Sequence, residues 1–290
     1  MTTLKTLTPA QREEWLVKML GTARAAAEVV MRVYGEADVG VEYKTPGDPV
    51  TRADKEANAL ILARLGRDFP DVPIVAEESD AGAYQGFESS EIAFFVDPVD
   101  GTRDFVARNG EFCVMIGVAE QGRATLGVIV CPAVARGAYI AAEGFGAFLV
   151  ADDDSRTPIA VTKIEDLTSA RVAVSRFHRS KSVDAKLAAL SSKELVPVGS
   201  SGIKGIHIAT AHLELYAHPS RGAVKLWDAC APEAIVRAAG GVYTDAKGRD
   251  FDYRGVVSQG TGTVAANPTL HAEAVRRFVD YDLRTGETLS

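Results

Sequence analysis

Apolar positions in the first seventy residues recur at helical spacing. Thr8 stands where an N-cap belongs, with Pro9 in the first turn and Gln11 three residues on; Leu16, Met19, Leu20, Ala23, Ala27, Val30 and Tyr34 then form one stripe up to Gly35. A second amphipathic helix opens at Thr51 and carries Ala57, Leu60, Ile61 and Leu65 until Phe69-Pro70 stops it. The pattern then changes to short continuous apolar runs, Val72 to Ala76 and Ile92 to Val96, which read as buried strands. Each ends in acid: Glu77-Glu78 after the first and Asp97 after the second. Phe112 to Ala119, Ala124 to Val130, Gly137 to Ala142 and Gly146 to Val150, joined by Gly-containing turns, read as an antiparallel meander.

The acidic, turn-rich stretch ADDDSRTP, residues 151–158, reads as a linker. It divides the chain into an N-terminal α+β lobe, 1–155, and a C-terminal α/β lobe, 156–290. In the second lobe Ala170 to Val174 and Leu195 to Gly199 are strand-like, and Val183 to Leu190 and Ile203 to Leu213 have helical spacing. Pro232 is placed in the first turn of a helix that follows Asp228 and stops at Gly240-Gly241. A strand at Thr263 to Ala266 and a helix from Pro268 to about Phe278 close the chain, with no internal repeat.

Composition narrows the function classes. The 290 residues, 47% hydrophobic and 24% charged, are ordinary for a globular protein of one or two domains. The net charge of −7 opposes a nucleic-acid polymer or an anionic membrane as partner, each of which asks for a basic footprint. Cys113, Cys131 and Cys230 are widely spaced in apolar surroundings, which points to buried free thiols rather than a metal or redox motif. The N-terminal segment lacks the pattern of a signal peptide, and no run approaches the length of about 18 apolar residues that a membrane span needs. A cytoplasmic protein without integral membrane association is expected, as a monomer or homodimer.

The segment Phe94 to Thr102 carries the most chemistry. Asp97 and Asp100 lie three positions apart around Pro98, which fixes φ, so that both carboxylates and the Val99 carbonyl converge on one point. Oxygen ligands of this kind suit Mg²⁺, which pairs one or two carboxylates with substrate phosphate. Gly101 permits close backbone approach to a phosphate, and its N–H and that of Thr102 are available to donate to it. Plainer readings exist for each residue. DPVDGT also fits an Asx/Pro turn, Thr51 to Asp54 a capping box with Asp in place of Glu, and Asp228 the N-cap of the following helix.

Taken together, VDPVDGTRDFV, the upstream VAEES and PVTRAD, and the downstream WDACAPEAIVRAAGG resemble the inositol monophosphatase-like, Mg²⁺-dependent, lithium-sensitive phosphatases, in the same order and from about Ala25 to Asn267. The resemblance implies an α+β fold, a layered αβαβα sandwich of the inositol monophosphatase and fructose-1,6-bisphosphatase type, with the active site between two lobes. It implies that Glu77, Asp97 and the Val99 carbonyl ligate a first metal, with Asp97 bridging to a second held by Asp100 and Asp228. Asp54 with Thr102 would orient or deprotonate the attacking water. Two or three Mg²⁺ ions are implied, with Mn²⁺ as an alternative, and crowding so many carboxylates is costly without them.

Three further features resemble the 3'(2'),5'-bisphosphate nucleotidase branch: RNGEF at 108–112 with SRFHRS at 175–180, GSSGIK at 199–204, and KLWDACAPE at 225–233. The branch implies that Ser175, His178, Ser200 and Lys204 hold a nucleotide, with Arg221 added because that region lacks the glutamate that receives inositol hydroxyls. His178 and Arg221 also fit plain surface groups. The expected reaction removes the 3'-phosphate of adenosine 3',5'-bisphosphate, and of its sulfated counterpart, as in sulfur assimilation. An inositol (poly)phosphate phosphatase is the alternative, fructose 1,6-bisphosphate a further substrate option, and a catalytically silent metal-binding protein the reading from another class.

Overall fold

The computed structural model describes residues 6–134 and 137–286. Helix α1 (Pro9–Tyr34) starts where its capping residues stand: Thr8 Oγ1 accepts from the Gln11 N–H at 3.3 Å, and the Gln11 side chain accepts from the Thr8 N–H at 2.9 Å. The segment between the first two helices folds into a hairpin of β1 (Glu42–Thr45) and β2 (Asp48–Val50), ahead of α2 (Arg52–Asp68). Next come β3 (Ile74–Ala76), β4 (Ile92–Asp100) and the short α3 (Thr102–Val106). The meander is β5 (Cys113–Glu120), β6 (Arg123–Cys131), β7 (Gly137–Ala142), β8 (Gly146–Val150) and β9 (Arg156–Ile159).

Strands β3 to β9 form one sheet in sequence order, parallel only between β3 and β4. The stretch 151–158, expected as a linker, is instead a hairpin turn, closed by Ala151 N–H donating to the Ser155 carbonyl, followed by β9 on the same sheet. An acidic turn sequence reads alike whether it joins two lobes or two paired strands.

The rest of the chain gives β10 (Arg171–Ser175), α4 (Lys181–Ala188), β11 (Glu194–Val198), α5 (Ser201–Ala209), β12 (Leu215–His218), β13 (Val224–Lys225) and α6 (Leu226–Ala238). It ends with β14 (Val242–Thr244), β15 (Ser258–Gln259), β16 (Thr263–Ala266) and α7 (Pro268–Thr285). A second sheet has the order β11-β10-β12-β16-β14. Strands β12 and β14 escape the sequence pattern because each offers only a few apolar residues.

Alternation along the strands builds the layers. Phe94 and Val96 of β4 join Trp15, Met19, Ala23 and Ile61 in a core between the large sheet and α1/α2. Phe95, from the opposite face, joins Met115, Ile129, Ile206, Trp227, Cys230 and Tyr216 in a core holding α5 and α6 between the sheets. The outer face of the second sheet, with Val172, Val174 and Leu215, packs on Leu187, Leu270 and Phe278 of α4 and α7. The order is therefore α, β, α, β, α. All three cysteines are free and buried, and among the described residues no helix is long and apolar enough to cross a membrane.

One close approach sets the position of α6. Gly117 and Gly127 face each other across β5 and β6, and a Cβ on Gly117 would sit 2.6 Å from Cys230 Sγ, one on Gly127 2.5 Å from the Ala231 carbonyl oxygen. The helix backbone lies directly on the sheet there. Gly117→Ala is expected to destabilise the protein by about 1–3 kcal/mol through overpacking. Gly21→Ala, in α1 with nothing within 4 Å of the new Cβ, should instead be neutral or stabilise by up to about 1 kcal/mol. Denaturation midpoints of the two variants test the contrast.

Candidate active site

Strand β4 continues through Pro98 to Asp100, where a turn was expected, and its register with β5 shifts between Asp97 and Asp100. The irregularity turns Asp97 and Asp100 away from simple alternation. Asp97 is 2% exposed, and its Oδ1 accepts from the Val99 N–H at 2.9 Å. Glu77 follows β3, which runs beside β4, and Asp228 lies in the first turn of α6. Carboxylate oxygens of Glu77, Asp97 and Asp228 lie within 4.8 Å of one another. Burial raises all three above the usual carboxylate range, strongly for Asp97 and Asp228; repulsion from neighbouring carboxylates, Asp100 among them in each case, adds to it, while Lys44 works the other way on Glu77.

Helix α6 begins at Leu226, so Asp228 is not its N-cap and Pro232 lies in its interior rather than its first turn. Proline has no N–H for the carbonyl four residues back. That carbonyl belongs to Asp228, and the Ser201 hydroxyl donates to it at 3.1 Å. The proline thus frees an acceptor that ties α5 to the metal-type carboxylate.

Asp54 serves two purposes at once. Its Oδ2 accepts from the Thr51 N–H at 2.7 Å and Thr51 Oγ1 at 2.5 Å, completing the box that starts α2. Its Oδ1 accepts from Thr102 Oγ1 at 3.0 Å, and the same hydroxyl lies 3.1 Å from the Val99 carbonyl oxygen. Burial raises Asp54, against the lowering effect of the hydrogen bonds from Thr51 and Thr102. The capping reading of this residue is met, and its other oxygen is bonded to Thr102, the residue the resemblance pairs it with.

Asp100 is held by the start of α5. Ser200 Oγ donates to its Oδ2 at 2.5 Å and the Gly202 N–H at 2.6 Å, so the carboxylate sits at the N-terminus of α5, where the helix dipole favours negative charge. Cys113 Sγ lies 3.7 Å from that oxygen and 3.3 Å from Ser200 Oγ; burial pushes its thiol far up, unlike a nucleophilic cysteine.

Glu77, Asp97, Val99, Asp100, Gly101, Thr102 and Asp228 line one cavity of about 960 Å³ together with Ser175, His178, Ser200, Lys204 and Arg221. Gly101 takes φ +97°, as a residue with a Cβ rarely does. The Ser175 hydroxyl accepts from the His178 N–H at 3.1 Å and shapes the loop after β10. Partial burial, with Arg103 and Lys204 nearby, holds His178 below its usual value and favours a neutral ring.

Lys204, expected to hold a nucleotide, is bonded within the protein itself. It is 4% exposed, and its ammonium donates to the carbonyls of Val198, Gly199 and Ser200 at 3.4, 3.2 and 2.6 Å, which occupies all three donors of a lysine. It also stacks over Tyr216 at 5.3 Å. RNGEF likewise turns inward. Arg176 Nη2 donates to Glu111 at 2.7 Å, its Nε lies 3.3 Å from Asp104, and Glu111 accepts from the Gly199 N–H. Arg108 instead donates to the carbonyls of Tyr34 and Glu36 at the end of α1.

Lys44, in the hairpin, gave no sequence signal. Its ammonium lies 3.0 Å from Glu77 and 2.5 Å from Glu78, and the two glutamates hold it protonated, well above its usual value, against the opposing effect of burial. Phe177 and His218 also line the cavity without having been picked out from the sequence as site residues.

Residues 11–283 match the inositol monophosphatase family. The chain belongs to that family. It is thereby a phosphoric monoester hydrolase. The CysQ 3'(2'),5'-bisphosphate nucleotidase of Salmonella typhimurium is 35% identical over 233 residues, 80% of this chain and 90% of that protein. The human 3'(2'),5'-bisphosphate nucleotidase 1 is 28% identical over 267 residues, 80% of this chain and 82% of its own. Among solved structures, an inositol monophosphatase of Thermotoga maritima superposes with a TM-score of 0.78 at 24% identity, covering 93% of this chain and 99% of that one. CysQ of Bacteroides thetaiotaomicron gives 0.72 at 25% identity, covering 88% and 97%.

The donor set fits a hard divalent cation. It is all oxygen, drawn from three elements, and crowded enough that its own charges oppose ionisation. Asp97→Asn, which removes one carboxylate charge, is expected to raise the melting temperature of metal-free protein by about 2 °C or more and to abolish the further rise expected of the unaltered protein on adding a divalent cation. A metal-free variant less stable than the parent, or one still stabilised by a divalent cation, would contradict this account of the cluster.

Proposed function

We propose that the protein is a Mg²⁺-dependent phosphatase that removes the 3'-phosphate from adenosine 3',5'-bisphosphate, leaving AMP, and acts likewise on the 3'-phosphorylated adenylyl sulfate. The observation that carries the reading is the meeting of Glu77, Asp97 and Asp228 at the floor of a cavity that also holds Thr102 and the Asp54 partner behind it. The nucleotide assignment is supported by relatives named as bisphosphate nucleotidases and by an arginine, Arg221, lining the cavity just before the Trp227-Asp228 pair.

Glu77, Asp97 and Asp228, with Asp100 and the Val99 carbonyl, would hold the ions. Bound Mg²⁺ would supply charge that acidifies the attacking water and offsets the charge building on the leaving oxygen. Asp54 accepts from the Thr102 hydroxyl and so leaves a Thr102 lone pair to receive a water proton; the pair orients the nucleophile and passes the proton toward a carboxylate whose affinity for it burial has raised. The peptide N–H groups of Gly101 and Thr102 supply donors at the phosphate end. Ser200 and Gly202 hold Asp100 in place, and Ser175 shapes the loop bearing His178. Lithium sensitivity belongs to the same proposal.

Phosphate release in Mg²⁺ from adenosine 3',5'-bisphosphate, inositol 1-phosphate, inositol 1,4-bisphosphate and fructose 1,6-bisphosphate tests the substrate. The nucleotide should have the highest kcat/KM, and faster release from inositol 1-phosphate overturns the assignment. Thr102→Ala is expected to lower kcat by about 10²-fold or more with KM little changed, the size typical of a lost proton-transfer or orienting group. A variant that raised only KM would move Thr102 from catalysis to binding.

A further inference from the structure

The rim of the cavity carries two groups that phosphate chemistry does not use. Phe177 lies in the loop between β10 and α4, next to His178, and the residue is 43% exposed while lining the cavity. His218 ends β12 and lines the same cavity, and its Nδ1 is buried without a hydrogen-bond partner among the described residues. An aromatic face left in water and a buried ring nitrogen left unpaired are each unfavourable. Both are relieved by one kind of ligand part, a flat π system with hydrogen-bonding groups along its edge.

We propose that Phe177 and His218 form a nucleobase subsite, with the ring of Phe177 stacking on the base and His218 Nδ1 bonding to its edge. The proposal rests on the bisphosphate-nucleotide reading and names the side chains that would recognise the base. An inositol or sugar ring satisfies Nδ1 with a hydroxyl but has no π face for Phe177. Burial, together with Lys204 and His178, pushes His218 down to about 4, so its imidazole is neutral at pH 7 with one donor and one acceptor. An adenine edge carries a ring-nitrogen acceptor beside an amine donor and therefore suits either tautomer.

Calorimetric titration of AMP and of ribose 5-phosphate, which lacks the base, tests the subsite directly. In Mg²⁺ the unaltered protein should bind AMP at least about tenfold more tightly than ribose 5-phosphate, as expected for stacking of one base on one aromatic ring. Phe177→Ala should shrink that ratio to about threefold or less and leave ribose 5-phosphate affinity unchanged, while Phe177→Tyr keeps it. His218→Ala should reduce the ratio by about fivefold. Equal affinity for the two ligands in the unaltered protein, or equal weakening of both by Phe177→Ala, overturns the subsite. Its failure is separable from failure of the substrate reading. A protein that hydrolyses inositol 1-phosphate fastest, yet binds AMP over ribose 5-phosphate through Phe177, loses the substrate assignment and keeps the subsite; one that prefers the adenosine bisphosphate but binds the two ligands equally keeps the assignment and loses the subsite.

Discussion

Like charges brought together out of water set the terms for the rest of this structure. Glu77, Asp97 and Asp228 offer oxygens within 4.8 Å of one another. Two unit charges at that separation repel by about 3 kcal/mol at an effective dielectric near 20, so three ionised groups would cost on the order of 10 kcal/mol. A domain whose whole stability is about 5–15 kcal/mol cannot carry that cost uncompensated. Protons, Lys44 or divalent cations must reduce it. Lys44 reaches Glu77 and Glu78 from the hairpin, a tethered positive charge beside the cluster.

The cost also explains how firmly each carboxylate is held. Asp97 comes from a strand whose register shifts, Glu77 from the strand beside it, and Asp228 from a helix pressed against Gly117 and Gly127. Asp100 is fixed by donors from the far side of the cavity, and Asp54 by the start of its own helix. Two of these residues are tied on two sides. Asp54 caps α2 and receives Thr102; Asp100 caps α5 and faces the cavity.

The layered fold was legible because its strands are long apolar runs and its first two helices carry capping residues at the right spacing. The carboxylates were legible because chemistry-bearing residues end those strands. Local sequence did not distinguish a hairpin turn from a linker at 151–158, nor reveal that α6 starts three residues early and runs through Pro232. Both depend on tertiary partners, the pairing of β9 with β8 in one case and the Ser201 hydroxyl on the Asp228 carbonyl in the other. Lys44, Phe177 and His218 were illegible for a related reason: nothing in their neighbourhoods shows which cavity they line.

Lys204 shows why a residue's place in a motif leaves its work open. The loop 199–204 has the small residues and the lysine of an anion site, yet its donors are largely committed to the protein itself. The Gly202 N–H and Ser200 hydroxyl go to Asp100, the Gly199 N–H to Glu111, and the ammonium to three carbonyls. Asp100 thus occupies the end of α5 that an external anion would otherwise seek. A substrate phosphate at this loop competes with Asp100 and Glu111 for the same donors, and any cation drawn to the carboxylate cluster weakens Asp100's hold on them. A cation held by the cluster and an anion at the loop would therefore act on each other through one carboxylate, so that in an acidic protein the placement of the negative charges matters more than their sum.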